Sequence, residues 1–589
     1  MAGADASRSI QVAASNARFV KQEHGWEKLK DMLEGFVSDS EHPILHFDSF
    51  DPARRDSPSG PSEHRFMLPH PEESLGSVPP PQPRDNSGAA QRQPLSPSRV
   101  PAVEATFRLR RSLVKARLTD TGLSFHPISS QPRVFSSFLP LLGNAVAFDD
   151  ILSAQHLEHT PCLSVACLPC RERHHVVINT FRRSHRKQCL WHPTRLLLST
   201  QSKDTARQWT EKINSALAML SHRPHALLVI LNPFGGARKA RHVWHRHVRP
   251  ILDTAGIQCT VMETQKPGHA KQVVEKLTLS QANSFDGIVA VGGDGLFQEC
   301  MNGLLALRSL SPELAAAAKD MRLGHIPAGS TDAVAYSING TRDEETAALH
   351  IALGDRTPID IMRVDTADGA SRFAACVASY GYMGDLLRQS EHWRWMGPFR
   401  YTLAGTMALL YGRAYQARVA YLPVEMDQPS RRSVCRSQCD LCTPATSPAE
   451  HAAHAEAFLR PSKPPFQTAG WRSAEGRFKS IMAVVMPCRS DKSVLGLSPY
   501  SHLADGRIVL VLVHDCSILD YLRFLASIPA RGIQADRFTY VETIDCTAVS
   551  IQPIGVESAW NVDGELLKNN HVTAEAHQAL ISVFARGVE

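Results

Sequence analysis

The chain has 589 residues, of which 43% are hydrophobic and 21% charged, a balance typical of globular proteins rather than fibrous or wholly disordered ones. Its net charge of +6 is small for this length, which argues against a dedicated nucleic-acid-binding protein. The first residues hold no apolar signal-peptide segment, and no run reaches the roughly eighteen apolar residues of a membrane span. We therefore expect a cytoplasmic protein whose 13 cysteines are reduced thiols or metal ligands.

Residues 1–104 are predicted to be largely disordered. Pro, Ser, Asp and Arg dominate from residue 38 to about residue 100, and such a segment buries too little apolar surface to offset the entropy of ordering it. Just before it, apolar side chains recur at helical spacing: Trp26, Leu29, Met32, Leu33 and Phe36. They predict either an amphipathic helix that docks on a membrane or on the protein itself, or a marginal local helix.

Residues 105–220 predict a small β-rich domain that ends in one helix. Short β-like runs start at Phe107, and Trp209, Ile213 and Leu217 lie on one face of the closing helix. Strands followed by a helix with a buried Trp resemble a pleckstrin-homology domain. Taken together, the basic side chains of this region favour contact with anionic headgroups. A position on a solvated strand face is the alternative for each of them. They are Arg108, Arg110, Arg111, Lys115, Arg182, Arg183, Arg186 and Lys187.

Residues 221–354 alternate apolar strands with helical segments, which predicts a mostly parallel sheet covered on both faces. Ligands of such sheets bind beyond the carboxyl ends of the strands, and four loops fall there. They are Asn232-Pro233-Phe234-Gly235-Gly236, Thr264-Gln265-Lys266-Pro267-Gly268, Gly292-Gly293-Asp294-Gly295 and Pro327-Ala328-Gly329-Ser330-Thr331-Asp332. Any one of these loops can be an ordinary turn, but their combination favours a ligand site.

The first of these loops suits phosphate. Glycine bares its backbone N–H groups at a predicted helix N-terminus, and Arg238, Lys239 and Arg241 follow closely. No G-K-[S/T] follows the loop, so it is not a Walker A motif. The sequence therefore disfavours a P-loop kinase or ATPase.

The third loop places Asp294 among glycines, directly after the apolar run Val289–Val291. A backbone without Cβ atoms lets a ligand approach closely. A carboxylate within hydrogen-bond reach of a hydroxyl can accept its proton, so we hypothesise that Asp294 is a general base. A helix N-cap is the structural alternative for this carboxylate.

Residues 355–589 are β-rich and predict an antiparallel second domain, interrupted by a Cys-rich irregular insertion near residues 427–468. Cys435, Cys439 and Cys442 lie in this insertion. They would bind Zn²⁺ if Cys488, His451 or His454 supplied a fourth ligand. A reduced structural or redox-sensitive cluster is the alternative.

These loops, in this order, resemble the diacylglycerol kinase catalytic domain family of lipid kinases, which includes sphingosine and ceramide kinases. The resemblance covers residue 221 to the end of the sequence. It implies an α+β multidomain fold: after the pleckstrin-homology-like β-domain come an αβ nucleotide-binding domain with a mostly parallel sheet and an antiparallel β-sandwich domain, with a cleft between the last two. It also implies ATP as co-substrate and Mg²⁺ at the ATP phosphates.

The resemblance implies roles for individual residues. Gly292, Gly293, Asp294 and Gly295 would face the lipid headgroup, and Asp385, in Y-G-Y-M-G-D, would lie near the substrate pocket. The nucleotide would be held by Asn232 to Gly236, Thr264 to Gly268, Glu299, Gly329, Ser330, and the late motif Asp563-Gly564-Glu565. Arg394 and Arg400 would reach the ATP phosphates, with surface salt bridges as the alternative. Asp563 and Glu565 are the acidic candidates nearest Mg²⁺.

Three features resemble the ceramide kinases within this family: the pleckstrin-like region, the string G-S-T-D-A-V-A-Y-S at 329–337, and the C-x-x-x-C-x-x-C motif. They imply ceramide and ATP as substrates and peripheral contact with anionic membranes. Calmodulin is not expected, because the segment 511–525 has one Arg and two Asp. A sphingosine or diacylglycerol kinase is the alternative enzyme. A non-catalytic membrane or lipid-binding protein is the alternative from another class.

Overall fold

The computed structural model describes residues 103–109, 112–128, 145–158, 174–235, 238–393, 396, 399–424, 433–442, 470–555, 558–567 and 571–589. The predicted disorder of the N-terminal region and the predicted helix around Trp26 therefore lie outside the described residues. Among the described residues, no helix combines the length and apolar content that crossing a bilayer requires.

The first sheet is antiparallel and has seven strands in the spatial order β4-β3-β2-β1-β7-β6-β5. Its strands are β1 Val103–Leu109, β2 Ser112–Leu118, β3 Gly122–Pro127, β4 Ala145–Ala147, β5 Ile151–Leu157, β6 His174–Arg183 and β7 Trp191–Thr200. Helix α1, Lys203–Ala218, follows them. Alternate residues of β2 are buried, as the two-residue period of a strand with one covered face requires.

Helix α1 closes this sheet with the face that the sequence predicted. Trp209, Ile213 and Leu217 are all buried, and the Trp209 ring meets Phe107 edge to face with centroids 4.9 Å apart. Ser202 begins the helix, since its side chain accepts a bond from the Thr205 N–H. The pleckstrin-homology likeness of this region stays a prediction.

Two of the basic residues that we expected to meet headgroups bind within the protein instead. Arg183 donates two hydrogen bonds to the Glu589 carboxylate, both 2.8 Å, and its guanidinium lies over the Trp191 ring. Lys187 lies over the Tyr336 ring and contacts its hydroxyl. The seven-stranded sheet is thereby attached to the rest of the protein.

Replacing Glu589 by Gln is expected to lower the free energy of unfolding by about 1–2 kcal/mol at pH 7, because a charge-assisted pair is lost. Burial opposes ionisation of Glu589, but the hydrogen bonds from Arg183 and Trp191 and the charges of Arg183 and Arg586 together outweigh it and hold the pKa below the usual glutamate range. The stabilisation is therefore present at neutral pH and disappears as the pH falls through that lowered pKa. Denaturant unfolding of both proteins at pH 7 and at a pH below that lowered pKa measures the loss of stability. Glu475→Gln is the control, because Glu475 is an exposed partner of Arg418. An equal loss at both pH values would contradict the assignment.

The second region contains a parallel sheet, as predicted. The strands lie in the order β9-β8-β10-β11. Its strands are β8 Ala226–Leu231, β9 Gln258–Glu263, β10 Gly287–Gly292 and β11 Arg322–Pro327. Its helices are α2 Ala240–Val243, α3 Arg249–Thr254, α4 His269–Glu275, α5 Leu279–Ser284, α6 Asp294–Leu310, α7 Pro312–Ala317, α8 Ala333–Asn339 and α9 Glu344–Leu353. A π-helical turn, Trp244–Val248, joins α2 to α3. Every residue of β10 and β11 is buried, as expected for central strands covered on both faces.

The remaining strands form antiparallel pairs with one another. They are β12 Thr357–Thr366, β13 Ser371–Ala374, β14 Val377–Gly381, β15 Tyr415–Pro423, β16 Arg472–Val484, β17 Ile508–His514, β18 Val541–Ile554, β19 Trp560–Val562, β20 Glu565–Leu567 and β21 Val572–Val583. Their helices are α10 Tyr382–His392, α11 Phe399–Tyr411 and α12 Ile518–Arg531. The predicted insertion lies between the paired strands β15 and β16 and is described only over 433–442.

The parallel and antiparallel parts share one continuous sheet of fourteen strands. Strand β21 pairs with β12 and β18 in antiparallel fashion, and its end pairs in parallel with β11 through Val583 and Leu323. The fold class is mixed α/β with more than one sheet. The domain limits and a separate β-sandwich stay predictions.

Candidate active site

Three of the four predicted loops lie side by side at the carboxyl ends of the parallel strands. The N–H of Asn232 donates to Val291 O at 3.2 Å, and the N–H of Ala328 donates to Gly292 O at 3.1 Å. A Cβ atom on Gly329 would lie 2.5 Å from the Gly293 Cα, so these two loops touch backbone to backbone. Glycine is required there by the protein's own packing.

The first loop is an Asx turn. The Asn232 Oδ1 accepts bonds from the N–H groups of Phe234 and Gly235, both 3.0 Å, while the Phe234 ring is exposed. Pro233 is half-buried, and Gly236 lies outside the described residues. An exposed aromatic ring beside turn N–H groups is consistent with the predicted nucleotide contact.

Glu299 orders the second loop. Its carboxylate accepts the N–H groups of Gly268 (2.9 Å) and Ala270 (3.1 Å) at the start of α4. Gly268 has φ 77°, a left-handed conformation that favours glycine. Thr264 is buried, whereas the middle of the loop is exposed: Gln265, Lys266 and Pro267. Glu299 therefore positions the loop, and its contact with ATP stays a prediction.

Asp294 is the first residue of α6, yet its carboxylate caps a different helix. One oxygen accepts the Ala333 N–H at 2.9 Å and the other accepts the Val334 N–H at 3.0 Å, at the start of α8. The N-cap of α6 itself is Gly293. A carboxylate has about four acceptor sites, so each Asp294 oxygen keeps capacity for one further bond. Gly295, the next residue, is exposed.

Asp332 and Arg342 belong to this site and were missed as site residues. Asp332 is fully buried and accepts bonds from the Gly329 N–H (3.0 Å) and the Arg342 Nε (3.2 Å). Arg342 also donates to Gly329 O at 3.0 Å. Asp332 was visible as the last residue of the fourth loop, beyond the exposed Ser330. Arg342 had no local signal, because only the folded chain returns it to the loop.

Asp563 brings the late D-G-E motif into the site. Its carboxylate accepts the N–H groups of Ala375 (2.6 Å), Cys376 (3.1 Å) and Val377 (2.7 Å), where the chain passes from β13 into β14. Asp563 has φ 47°, in the left-handed region that only a few non-glycine residues adopt at low cost.

The negative charges of three carboxylates influence one another. Burial raises the pKa of Asp563 to about 6, and the charge of Asp294 contributes to the rise. Burial likewise raises the pKa of Asp332 to about 6, again with a contribution from Asp294. Clusters of perturbed carboxyl groups are typical of functional sites.

The other members of the predicted nucleotide set have different neighbours. Glu565 is exposed and pairs with Arg372 at 2.5 Å, while Gly564 forms the turn beside it with φ 88°. Arg400 lies at the start of α11 and forms an ion pair with Glu391 at 3.8 Å. Arg394 lies outside the described residues.

Asp385 lies at a separate pocket that is partly open to solvent. The pocket is lined by Tyr382, Asp385, Ala408, Leu409, Gly412, Arg413, Lys479, Ile518 and Tyr521. The buried Asp385 carboxylate accepts bonds from Arg388 (2.7 Å), Ser558 Oγ (2.9 Å) and the Tyr415 hydroxyl. Burial, reinforced by this bond to Asp385, raises the pKa of Tyr415 to about 12.

The pocket and the loop cluster are joined by the antiparallel pair β14 and β19. Asp563 follows β19 and holds the start of β14. Asp385 follows the end of β14 and is held by Ser558, just before β19. The arrangement places a pocket lined by apolar side chains, one carboxylate and the cationic Arg413 and Lys479 at one end of a strand pair, and a cluster of carboxylates and glycine loops at the other.

Several known proteins are similar to this chain in sequence. The diacylglycerol kinase catalytic domain model matches residues 226–364. A ceramide kinase of Homo sapiens is 32% identical over 420 residues, covering 65% of this chain and 77% of the human one. A ceramide kinase of Oryza sativa subsp. japonica is 29% identical over 598 residues, covering 81% and 97%. Sphingosine kinase 1 of Arabidopsis thaliana is 26% identical over 333 residues, covering 56% and 64%.

The human ceramide kinase is identical to this chain at nearly one residue in three, over most of both sequences. The family model covers β8 to β11, the strands whose loops converge on Asp294. The chain therefore belongs to the lipid kinases that share a diacylglycerol kinase catalytic domain, in their ceramide kinase branch.

Proposed function

We propose that this chain transfers the γ-phosphate of ATP to the primary hydroxyl of ceramide, giving ceramide 1-phosphate and ADP, with Asp294 as general base. The observation that carries the proposal is the meeting of Asp294 with the other glycine loops at the carboxyl edge of the parallel sheet. The relatives named ceramide kinase support ceramide as the lipid.

The chain's own residues supply positioning and proton transfer, which are the main demands of phosphoryl transfer on a protein. The N–H groups of α8 fix the Asp294 carboxylate, so it need not reorganise when a hydroxyl approaches. Its remaining acceptor capacity receives the hydroxyl proton. The Asn232 loop and the loop ordered by Glu299 hold the nucleotide.

The residues present fit Mg²⁺. Carboxylate oxygen is the ligand that Mg²⁺ prefers, and the raised pKa values of Asp332 and Asp563 reflect burial and a repulsion that a cation would relieve. Asp294, whose oxygens keep acceptor capacity, would hold the ion, whereas the Asp563 oxygens already accept backbone N–H groups and Glu565 is paired with Arg372. When bound, Mg²⁺ supplies charge neutralisation at the ATP phosphates.

Asp385 and its pocket hold the lipid headgroup in this proposal. A buried carboxylate with three donors around it can accept one further bond from an amide or hydroxyl of the sphingoid base. Leu409, Ile518 and Tyr521 line the pocket and suit the start of a hydrocarbon chain.

The test of the proposal is a radiolabelled-ATP assay of the purified chain against ceramide, sphingosine and diacylglycerol in mixed micelles. Phosphorylated ceramide as the main product supports it. A product only from sphingosine or diacylglycerol would overturn the choice of lipid and leave the kinase standing. A folded protein that phosphorylates none of the three would favour the non-catalytic, lipid-binding alternative.

Peripheral membrane contact is also part of the proposal, and exposed apolar side chains beside the pocket support it. Leu410, Tyr411 and Leu519 are each more than half exposed next to residues that line the pocket. Such a patch is unusual on a surface that meets only water. A lipid substrate would reach the pocket from the bilayer at this face.

Replacing Leu519 by Glu is expected to lower activity on ceramide in anionic vesicles about tenfold, since burying a charge at a lipid surface is unfavourable. Activity on ceramide in detergent micelles is expected to change much less. Leu310→Glu is the matched control, because Leu310 is 57% exposed and Leu519 62%, and Leu310 lies at the end of α6. Equal loss of vesicle activity in both variants would refute a membrane-facing role for this patch.

A further inference from the structure

Four metal-ligating side chains meet at one point outside the site described above. Cys435, Cys439 and Cys442 come from the segment 433–442, and His502 comes from the loop before β17. Their sulfur and ring-nitrogen ligand atoms all lie within 4.8 Å of one another. They form the one such group among the described residues that contains three thiols.

Two of the distances between these atoms are close to those of a tetrahedral metal site. With Zn–S near 2.3 Å and Zn–N near 2.0–2.1 Å, two sulfur ligands lie about 3.8 Å apart and a sulfur and a nitrogen about 3.6 Å apart. Cys435 Sγ and Cys442 Sγ are 3.6 Å apart, and Cys439 Sγ is 3.2 Å from His502 Nδ1. A disulfide, by contrast, requires about 2.05 Å, and none of the three cysteines forms one.

The backbone of the segment is folded so that the three thiols face one point. Gln438 has φ 54°, a left-handed conformation that costs about 1–3 kcal/mol for a residue other than glycine. The Cys442 N–H donates to Cys439 O at 3.0 Å and closes the next turn, Asp440–Cys442. A bound ion would compensate for the strain of this tight turn, which brings three sulfur atoms together.

The group is mostly buried. Cys435 is 2% exposed, Cys442 9% and His502 2%, while Cys439 is half-buried, so little surface is left through which a substrate could reach an ion. Four protein ligands without an open position are typical of structural zinc sites rather than catalytic ones. Three thiolates with one imidazole also match the preference of Zn²⁺ among the common divalent ions.

The fourth ligand differs from those that the sequence suggested. Cys488 donates to Met486 O at 3.3 Å and is not part of the group. His451 and His454 lie outside the described residues. His502 is distant in sequence and is brought to the cysteines by the fold.

We propose that Cys435, Cys439, Cys442 and His502 bind one Zn²⁺ ion that fixes the segment 433–442 to the catalytic part of the protein. Arg489 links the group to the active site: its guanidinium donates to Cys435 O at 2.8 Å, and its N–H donates to Ser337 Oγ on α8 at 2.9 Å. Helix α8 supplies the two N–H groups that hold Asp294. The Ser437 N–H also donates to Val588 O at 2.8 Å, which ties in the segment after β21.

The experiment measures metal directly and does not depend on activity. The full chain, purified without chelator from zinc-supplemented medium, is expected to carry about one Zn per chain by elemental mass spectrometry, released by an organomercurial thiol reagent. Cys439→Ser and His502→Ala are expected to lose most of this zinc. Cys259→Ser is the matched control, because Cys259 is a partly exposed free thiol outside the group and its removal should leave the zinc in place.

A second measurement keeps the proposal testable if those variants fail to fold. X-ray absorption of the wild-type chain is expected to give three sulfur neighbours at about 2.3 Å and one nitrogen at about 2.0 Å. Less than about a tenth of an equivalent of zinc in wild-type protein, both as purified and after incubation with Zn²⁺, would overturn the proposal. So would a full equivalent retained in folded Cys439→Ser and His502→Ala protein.

Discussion

Asp294→Asn is expected to lower the turnover number for ceramide by about a hundredfold or more, the size usual for a positioned acid–base group. The amide keeps the shape of the side chain but cannot take up the hydroxyl proton. We expect a smaller effect on the KM for ATP, because Asn232 and Glu299 hold the nucleotide loops and Asp294 would act on the nucleotide only through Mg²⁺. Full activity in a correctly folded variant would end the assignment of Asp294 as base.

The folding of this variant has to be measured alongside its activity. Both Asp294 oxygens accept helix N–H groups, and Asn can satisfy only one of them. The variant is therefore expected to lose about 1–3 kcal/mol of unfolding free energy through an unsatisfied N–H at α8. Activity assays at temperatures well below the midpoint of thermal unfolding separate this loss of stability from the loss of the base.

Asp385→Asn is the matched comparison, because Asp385 is the other carboxylate aimed at a candidate substrate pocket. If Asp385 holds the headgroup, its amide should raise the KM for ceramide more than it lowers the turnover number. The reverse outcome, a hundredfold loss of turnover in Asp385→Asn with an active Asp294→Asn, would move the base to Asp385 and leave Asp294 as a cap of α8.

Gly295→Ala is expected to lower kcat/KM about a hundredfold with no loss of stability. A Cβ on Gly295 would meet no heavy atom within 4 Å, and the residue is not among those with a left-handed φ. Within the first turn of α6, Ala is even favoured over Gly by up to about 1 kcal/mol. The protein alone thus gives no reason for glycine here, and close approach of a ligand to the backbone does.

Gly329→Ala provides the contrast to this substitution. Its Cβ would lie 2.5 Å from the Gly293 Cα and 2.6 Å from Asp332 Oδ1, so it should cost both stability and activity. Steady-state kinetics and thermal unfolding of the two variants distinguish a glycine kept for a ligand from one kept for packing. Unchanged kcat/KM in Gly295→Ala would refute a ligand contact at this loop.

Local sequence patterns were sufficient to predict most of the parallel region. The apolar run Val289–Val291 and the glycines after it predicted a buried strand, a tight turn and a helix, and β10 and α6 confirm each of these. Because parallel strands end at one edge of a sheet, the order of the loops also predicted that they would meet. Chain-local chemistry is sufficient wherever periodicity and turn residues decide the structure.

Contacts between distant parts of the sequence could not be predicted in this way. His502 reaches the cysteines, Arg342 returns to the Gly329 loop, and Asp563 joins the segment Ala375–Val377 only through the packing of the whole sheet. The same limit explains Arg183 and Lys187, since a basic residue gives no sign in the sequence that its partner lies more than a hundred residues away. Tertiary contacts decide whether a charge is free or paired.

The pairing of β21 with β11 has a consequence for how the protein is made. Strand β11 is complete soon after residue 327 leaves the ribosome, but its neighbour on the outer edge, which pairs with it at Leu323, ends at Val583. At roughly 5–20 residues per second, that edge stays open for about ten to fifty seconds of synthesis. An uncovered buried strand is a template for unwanted pairing, so the nascent chain depends on temporary protection until its final strand arrives.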